Sequence, residues 1–159
     1  MVNGPLGKEE EIEDIIVHMH GGGFVGLSSH TTQNYTRPWA SELKMPVFSI
    51  DYRMPPTHPF PHAPNDCFQV YKFLVNHLHK YMRIRPKNIY VCGDSAGGNL
   101  SCSLTALAMK NNILKPKALF LAYPCVDTRM IYYPSRKFVI NDPLIWPSIG
   151  QMFFNAYTN

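Results

Sequence analysis

No run of apolar residues in this 159-residue sequence approaches the roughly 18 needed to cross a bilayer, so an integral membrane protein is not expected. A basic leader with an apolar centre is lacking too. Residues 1–14 are acidic instead, and no secretory signal is read there. Cysteine is sparse and unpaired in pattern: Cys67, Cys92, Cys102 and Cys125 show no C-x-x-C spacing and fall inside apolar segments. That excludes a disulfide scaffold and predicts buried free thiols in a reducing, cytoplasmic compartment. Without a leader, the two glycosylation patterns at Asn34 and Asn99 are read as chance. Repeats, low-complexity tracts and linkers are also missing, so one domain over residues 15–159 is expected behind an acidic segment, residues 1–14. Charged residues make up 16% against 45% hydrophobic, too apolar for a disordered tail.

Charge is lopsided. Five of the eleven acids lie between Glu9 and Asp14, which leaves fourteen basic against six acidic residues after position 14. The densest basic piece, Lys80, Arg83, Arg85 and Lys87, follows a predicted helix C-terminus, where cations complement the helix dipole. It is read as a solvated turn, and no nucleic-acid partner is expected.

What is present is a regular alternation. Apolar runs at residues 15–20, 47–52, 88–93 and 118–123 each span about six residues and end at Gly, Pro or a charge, the pattern of strands buried on both faces. Between the second and third, Cys67, Val70, Tyr71, Leu74, Leu78 and Tyr81 recur at helical spacing, with Asn65 or Asp66 available as a cap. Between the third and fourth, Leu100, Leu104, Leu107 and Ala108 repeat the pattern until Asn111 and Asn112 end it. A helix over residues 31–43 requires Pro38 to start or kink it. The expected fold is α/β: a mostly parallel twisted sheet with helices on both faces. Proline-rich stretches at 55–64 and 134–147 are read as rigid loops.

Gly93-Asp94-Ser95-Ala96-Gly97 stands at the end of the third strand run and directly before a helix. That is the context G-x-S-x-G needs as a nucleophile elbow: a tight strand-to-helix turn that holds the serine above the sheet, with glycines at both flanks so that the chain can close. His20-Gly21-Gly22-Gly23-Phe24 follows the first strand run. Backbone N–H groups of such a loop can turn inward on the oxyanion of a tetrahedral intermediate. Neither G-x-G-x-x-G nor a following G-K-[ST] is present, so a phosphate-binding loop is the weaker reading.

With Asp51-Tyr52-Arg53-Met54-Pro55-Pro56-Thr57 between them, residues 20–23 and 93–98 resemble the hormone-sensitive lipase family of α/β-hydrolases. The likeness runs over about residues 15–157 and continues through Tyr123-Pro124, Pro134-Ser135-Arg136 and Asp142-Pro143-Leu144. The resemblance implies a serine carboxylic-ester hydrolase without metal or cofactor, acting on acylglycerol or other small lipid esters through an acyl-enzyme at Ser95. It implies the N–H groups of Gly22, Gly23 and Ala96 as the oxyanion hole. It implies that His20, Gly21, Gly93, Asp94, Gly97 and Gly98 support the loop and the elbow, and that Phe24 and Tyr52 shape pocket or loop packing. Contact with a lipid droplet or membrane is expected to be peripheral at most. Pro55 and Thr57 replace the family's alanine and acid.

In this fold the triad runs Ser, then acid, then His, yet all seven histidines precede Ser95. Asp127 and Asp142 come early for the triad acid and are read as loop or cap residues. Three readings follow: a partial α/β-hydrolase whose later strands, acid and base lie elsewhere, a member that binds a hydrophobic or hormone-like ligand without turnover, or a chain completed by a partner polypeptide. In each, the fourth strand is left as an exposed apolar edge, open to pairing.

Overall fold

The computed structural model describes residues 12–129, 134, 138 and 142–158. Most of the predicted acidic segment, and Ser135 and Arg136 of the Pro-Ser-Arg stretch, lie outside these residues. Four strands form one parallel sheet: β1 (Ile12–Met19), β2 (Val47–Ile50), β3 (Ile84–Asp94) and β4 (Ala118–Ala122), in the order β2-β1-β3-β4. The helices between them are α1 (Gln33–Leu43), α2 (His62–His77, continued by a 3-10 turn Leu78–Lys80) and α3 (Ala96–Lys110). A fourth helix, α4, spans Pro147–Thr158. The partial α/β-hydrolase architecture expected from the sequence is the one observed.

The central strands behave as their composition demands. Ile15, Val17 and Met19 of β1 and Ile89 and Val91 of β3 are fully buried against Tyr71 and Leu74 of α2 and Leu100, Leu104 and Ala108 of α3. The alternate residues of β1, among them Ile16 and His18, face α1 and are buried there as well.

Several expectations are corrected. β1 reaches back to Ile12, inside the segment read as a separate acidic tail, because it continues its ladder with β3: Ile12 pairs with Ile84 and Asp14 with Asn88. Glu13 and Asp14 are held there by Lys87 and by the Asn88 amide. α2 starts at His62, not at Asn65 or Asp66, because proline is tolerated in a first turn whose N–H groups have no helical acceptor, and Pro64 sits there. The Asp66 carboxylate is occupied instead by Arg53, through its backbone N–H at 3.0 Å and its guanidinium at 2.7 and 2.9 Å. Pro38 lies within α1 and does not start it. Cys67 and Cys92 are buried, and desolvation pushes both thiols up to about 12, but Cys102 and Cys125 are only partly buried.

β4 is the exposed apolar edge expected of the fourth strand, and so is not buried on both faces as its apolar run alone implied. As the sheet's edge it leaves Leu119 40% and Phe120 69% exposed. Between it and α1 runs a groove of about 410 Å³, lined by Trp39, Leu43, Met45, Tyr90 and Phe120 among others. Among the described residues no helix is long and apolar enough to cross a membrane.

Candidate functional site

The strand order decides where a site can form. From β1 the chain moves to β2 on one side, then crosses back to place β3 on the other. The carboxyl ends of β1 and β3 therefore mark a topological switch point, the place where connecting loops diverge and a crevice opens. The glycine-rich loop leaves β1 there and the Ser95 turn leaves β3 there, so the two motifs singled out in the sequence are neighbours in space.

At the end of β3 the chain turns within one residue into α3. Ser95 takes φ 52° and ψ −115°, a sparsely populated conformation that survives only where the surroundings hold it. Three backbone bonds do so: Ser95 N–H donates to the Ala122 carbonyl at 3.0 Å, and the Ser95 carbonyl accepts from Asn99 at 3.3 Å and from Cys125 at 3.0 Å. A side chain on Gly97 would meet the Met19 carbonyl oxygen at 2.0 Å, so α3 starts hard against the end of β1. Ser95 itself remains half-buried, and among the described residues no side chain hydrogen-bonds its Oγ. Asn99, read as a chance sequon, uses its amide to hold the Cys125 carbonyl at 2.7 Å.

The loop after β1 is shaped by positive φ at Gly22 (101°), Gly23 (63°) and Phe24 (66°). The Gly22 carbonyl closes a turn by accepting from Val25 and Gly26. Among the described residues nothing accepts from the N–H groups of Gly22, Gly23 or Ala96. Gly21 N–H donates to Asp94 Oδ1 at 3.1 Å, which ties the loop to the residue before Ser95.

His20 is fully buried. Its Nδ1 donates to the Gly21 carbonyl at 2.8 Å, and its ring stacks on Tyr52 at 4.3 Å. The Tyr52 hydroxyl donates to the His20 carbonyl at 2.8 Å. His20 Nε2 has no hydrogen-bond partner among the described residues and faces Asp51 Oδ1 at 3.9 Å. Burial works against ionisation of Asp51, but the two bonds from Ser29, both 2.6 Å, outweigh it and hold the carboxyl low. His20 thus lies buried beside the loop, bonded to the Gly21 carbonyl and stacked on Tyr52.

Sequence reasoning passed over three contributors. His18, like His20, is a polar residue in an otherwise apolar buried run, and a buried polar group demands partners. It finds Ser49 Oγ at 2.8 Å on β2, its register partner, and the Tyr35 hydroxyl at 3.3 Å on α1. Tyr35 in turn donates to Asp94 Oδ1 at 3.3 Å. The third is α4, whose Ile149, Phe153 and Tyr157 recur at helical spacing. Phe153 lies over Gly23, and Tyr157 stacks on Phe24 at 4.1 Å while its carbonyl accepts from Phe60 N–H at 2.6 Å. Asp127 and Asp142 are loop residues: the first pairs with Arg129, and the second accepts from Leu144 and Ile145 N–H ahead of α4. Among the described residues no group of three or more His, Cys, Asp or Glu side chains gathers as a metal site.

Burial drives the His18 imidazole down to about 4, against the pull of the nearby Asp94 carboxylate and with a smaller push from His20. Its folded value therefore lies below its unfolded value of 6.5, so the unfolded chain binds the extra proton between the two. Stability from this group is intact above pH 6.5 and falls as the pH drops toward 4, by up to about 3 kcal/mol at 1.36 kcal/mol per unit. Urea midpoints measured from pH 7 to pH 4 should show that decline, and His18→Gln should lose it.

The family model described as "alpha/beta hydrolase fold" matches residues 16–159. The chain belongs to this α/β-hydrolase family, a family of esterases and lipases. Hormone-sensitive lipase of Mus musculus is 37% identical over 144 residues, covering 91% of this chain and 19% of the lipase. The esterase of Pyrobaculum calidifontis superposes with a TM-score of 0.87 at 30% identity, over 96% of this chain and 49% of that one. Carboxyl esterase 2 of Tuber melanosporum gives 0.86 at 26% identity, over 94% and 48%. The chain thus spans about a fifth of the lipase and half of each esterase.

Proposed function

We propose that this chain carries the nucleophile and the anion-binding groups of a serine ester hydrolase for acylglycerols or other small lipid esters. The observation that carries the reading is the juxtaposition at the β1–β3 switch point of a serine held at positive φ with three backbone N–H groups that no group among the described residues accepts from. In this reading Ser95 Oγ attacks the ester carbonyl carbon and gives up its proton to a general base. The carbonyl π electrons move to oxygen, and the resulting oxyanion is met by the N–H groups of Gly22, Gly23 and Ala96, each worth about 3 kcal/mol in the transition state. Collapse re-forms the carbonyl and breaks the ester C–O bond, and the leaving oxygen takes the proton back from that base to depart as the alcohol. The acyl group stays on Ser95 until water releases it. All seven histidines precede Ser95, and His18 and His20 are buried and bonded elsewhere through Nδ1, so the reading assigns the general base to none of the groups described above.

The test is capture by a fluorophosphonate, whose tetrahedral phosphorus presents an anionic oxygen to the same donors. Peptide mass spectrometry should place the adduct on Ser95. Capture should run about 10³–10⁴-fold faster in the folded chain than in urea, the residual power left to such a site by its oxyanion donors and binding. Capture at the same rate in urea, or an adduct on another serine, would remove the proposal.

A further inference from the structure

We infer that Tyr35 is a positioning residue for the glycine-rich loop and acts through Asp94. The inference rests on the reading of residues 20–23 as the anion-binding loop, since that is what gives its placement a chemical consequence.

Asp94 Oδ1 accepts two hydrogen bonds from different parts of the chain, from Gly21 N–H at 3.1 Å and from the Tyr35 hydroxyl at 3.3 Å. The first is the tie between loop and elbow. The second comes from Tyr35 on α1, the helix that also sets Trp39 beside it. Asp94 is only half-buried, and it borders a cavity of about 160 Å³ lined also by Trp39, Phe120 and Tyr123. That space leaves the carboxylate room to rotate away from Gly21. The bond from Tyr35 is what keeps Oδ1 turned toward the loop.

Tyr35 is itself held in place. Its ring lies 4.9 Å from that of Trp39 and meets the His18 imidazole edge-on at 5.5 Å. Because the Tyr35 proton goes to Asp94, its oxygen is free to accept from His18 Nε2–H, and His18 Nδ1 is then left to accept from Ser49 Oγ–H. Each member therefore donates toward the loop: Ser49 to His18, His18 to Tyr35, Tyr35 to Asp94. Such a chain orients every proton in one sense, and the loss of one hydroxyl breaks it.

The experiment is amide hydrogen exchange at Gly21, read by NMR on the full 159-residue chain. Tyr35→Phe should speed exchange at Gly21 about tenfold, the worth of one hydrogen bond, and leave the strand amides of Val17 and Val91 unchanged. In an Asp94→Ala background the same change should alter Gly21 exchange less than about twofold, because the route through the carboxylate is already cut. Unchanged exchange at Gly21, or an equal rise in both backgrounds, would overturn the inference. If Tyr35→Phe also exposes Val17 and Val91, Ser49→Ala decides: it loosens His18 from the far end, and a Gly21 rate equal to that of the unsubstituted chain would overturn it. Fluorophosphonate capture at Ser95, run in parallel, should slow in Tyr35→Phe. A chain that shows the Gly21 response without capture would retain the positioning role and lose the ester-hydrolase reading.

Discussion

Gly97→Ala is expected to leave most of the chain unfolded. A single methyl group at this position would sit 2.0 Å from the Met19 carbonyl oxygen and 2.7 Å from that of His20. Both are backbone atoms at the end of the central strand, so no rotamer change can relieve the contact. Either α3 must move off the sheet or β1 must shift, and each would break the packing of Leu100 and Leu104 against Val17 and Val91. A rearrangement of that kind belongs with the severe substitutions, above about 4 kcal/mol. Domains of this size have only about 5–15 kcal/mol in total. Urea unfolding followed by circular dichroism should show a midpoint near zero denaturant, or no transition at all. A transition like that of the unsubstituted chain would mean that α3 does not start where it is described.

Ser95→Gly is expected to abolish fluorophosphonate capture and at the same time to stabilise the fold. Most substitutions that remove a reactive group also remove contacts. Here the residue lost is held at φ 52° and ψ −115°, where a side chain costs about 1–3 kcal/mol and glycine costs little. Part of that gain is returned, because glycine has more freedom to lose on folding. The net should be about 1 kcal/mol, or about 2–4 °C in melting temperature for a chain of this length. Loss of capture with a lower melting temperature would mean that the strain at Ser95 is not a cost to the fold.

Much of this is legible in the sequence alone. The four apolar runs became the four strands, and the two glycine motifs came together because β1 and β3 are paired, which a right-handed βαβ crossover makes natural. Boundaries were less legible, for reasons that lie outside the local sequence. β1 starts three residues early because Asn88 and Lys87 on β3 accommodate its acids. α2 starts early because the carboxylate that would have capped it answers to Arg53, thirteen residues away. Burial of the fourth strand could not be inferred from its own residues, since an edge and a centre strand differ only in what lies beside them. His18 was visible as an oddity, a polar residue in a buried run, but its partners lie 17 and 31 residues away and only the sheet register reveals them. Phe153 and Tyr157 were readable as an apolar face, but not as a face that closes over the glycine loop.

The bond between Gly21 and Asp94 joins residues 73 positions apart in the chain. During synthesis at about 5–20 residues per second, the loop therefore waits roughly 4–15 s before its anchor has been made. In that interval α1, β2 and α2 are all available to form local structure, but the loop has nothing to bind. Parallel pairing of β1 with β3 is slow by nature, because it must close a long segment before any contact repays the entropy. The candidate site is accordingly among the last features to appear as the chain folds, and its formation reports that the central pair of strands has been completed.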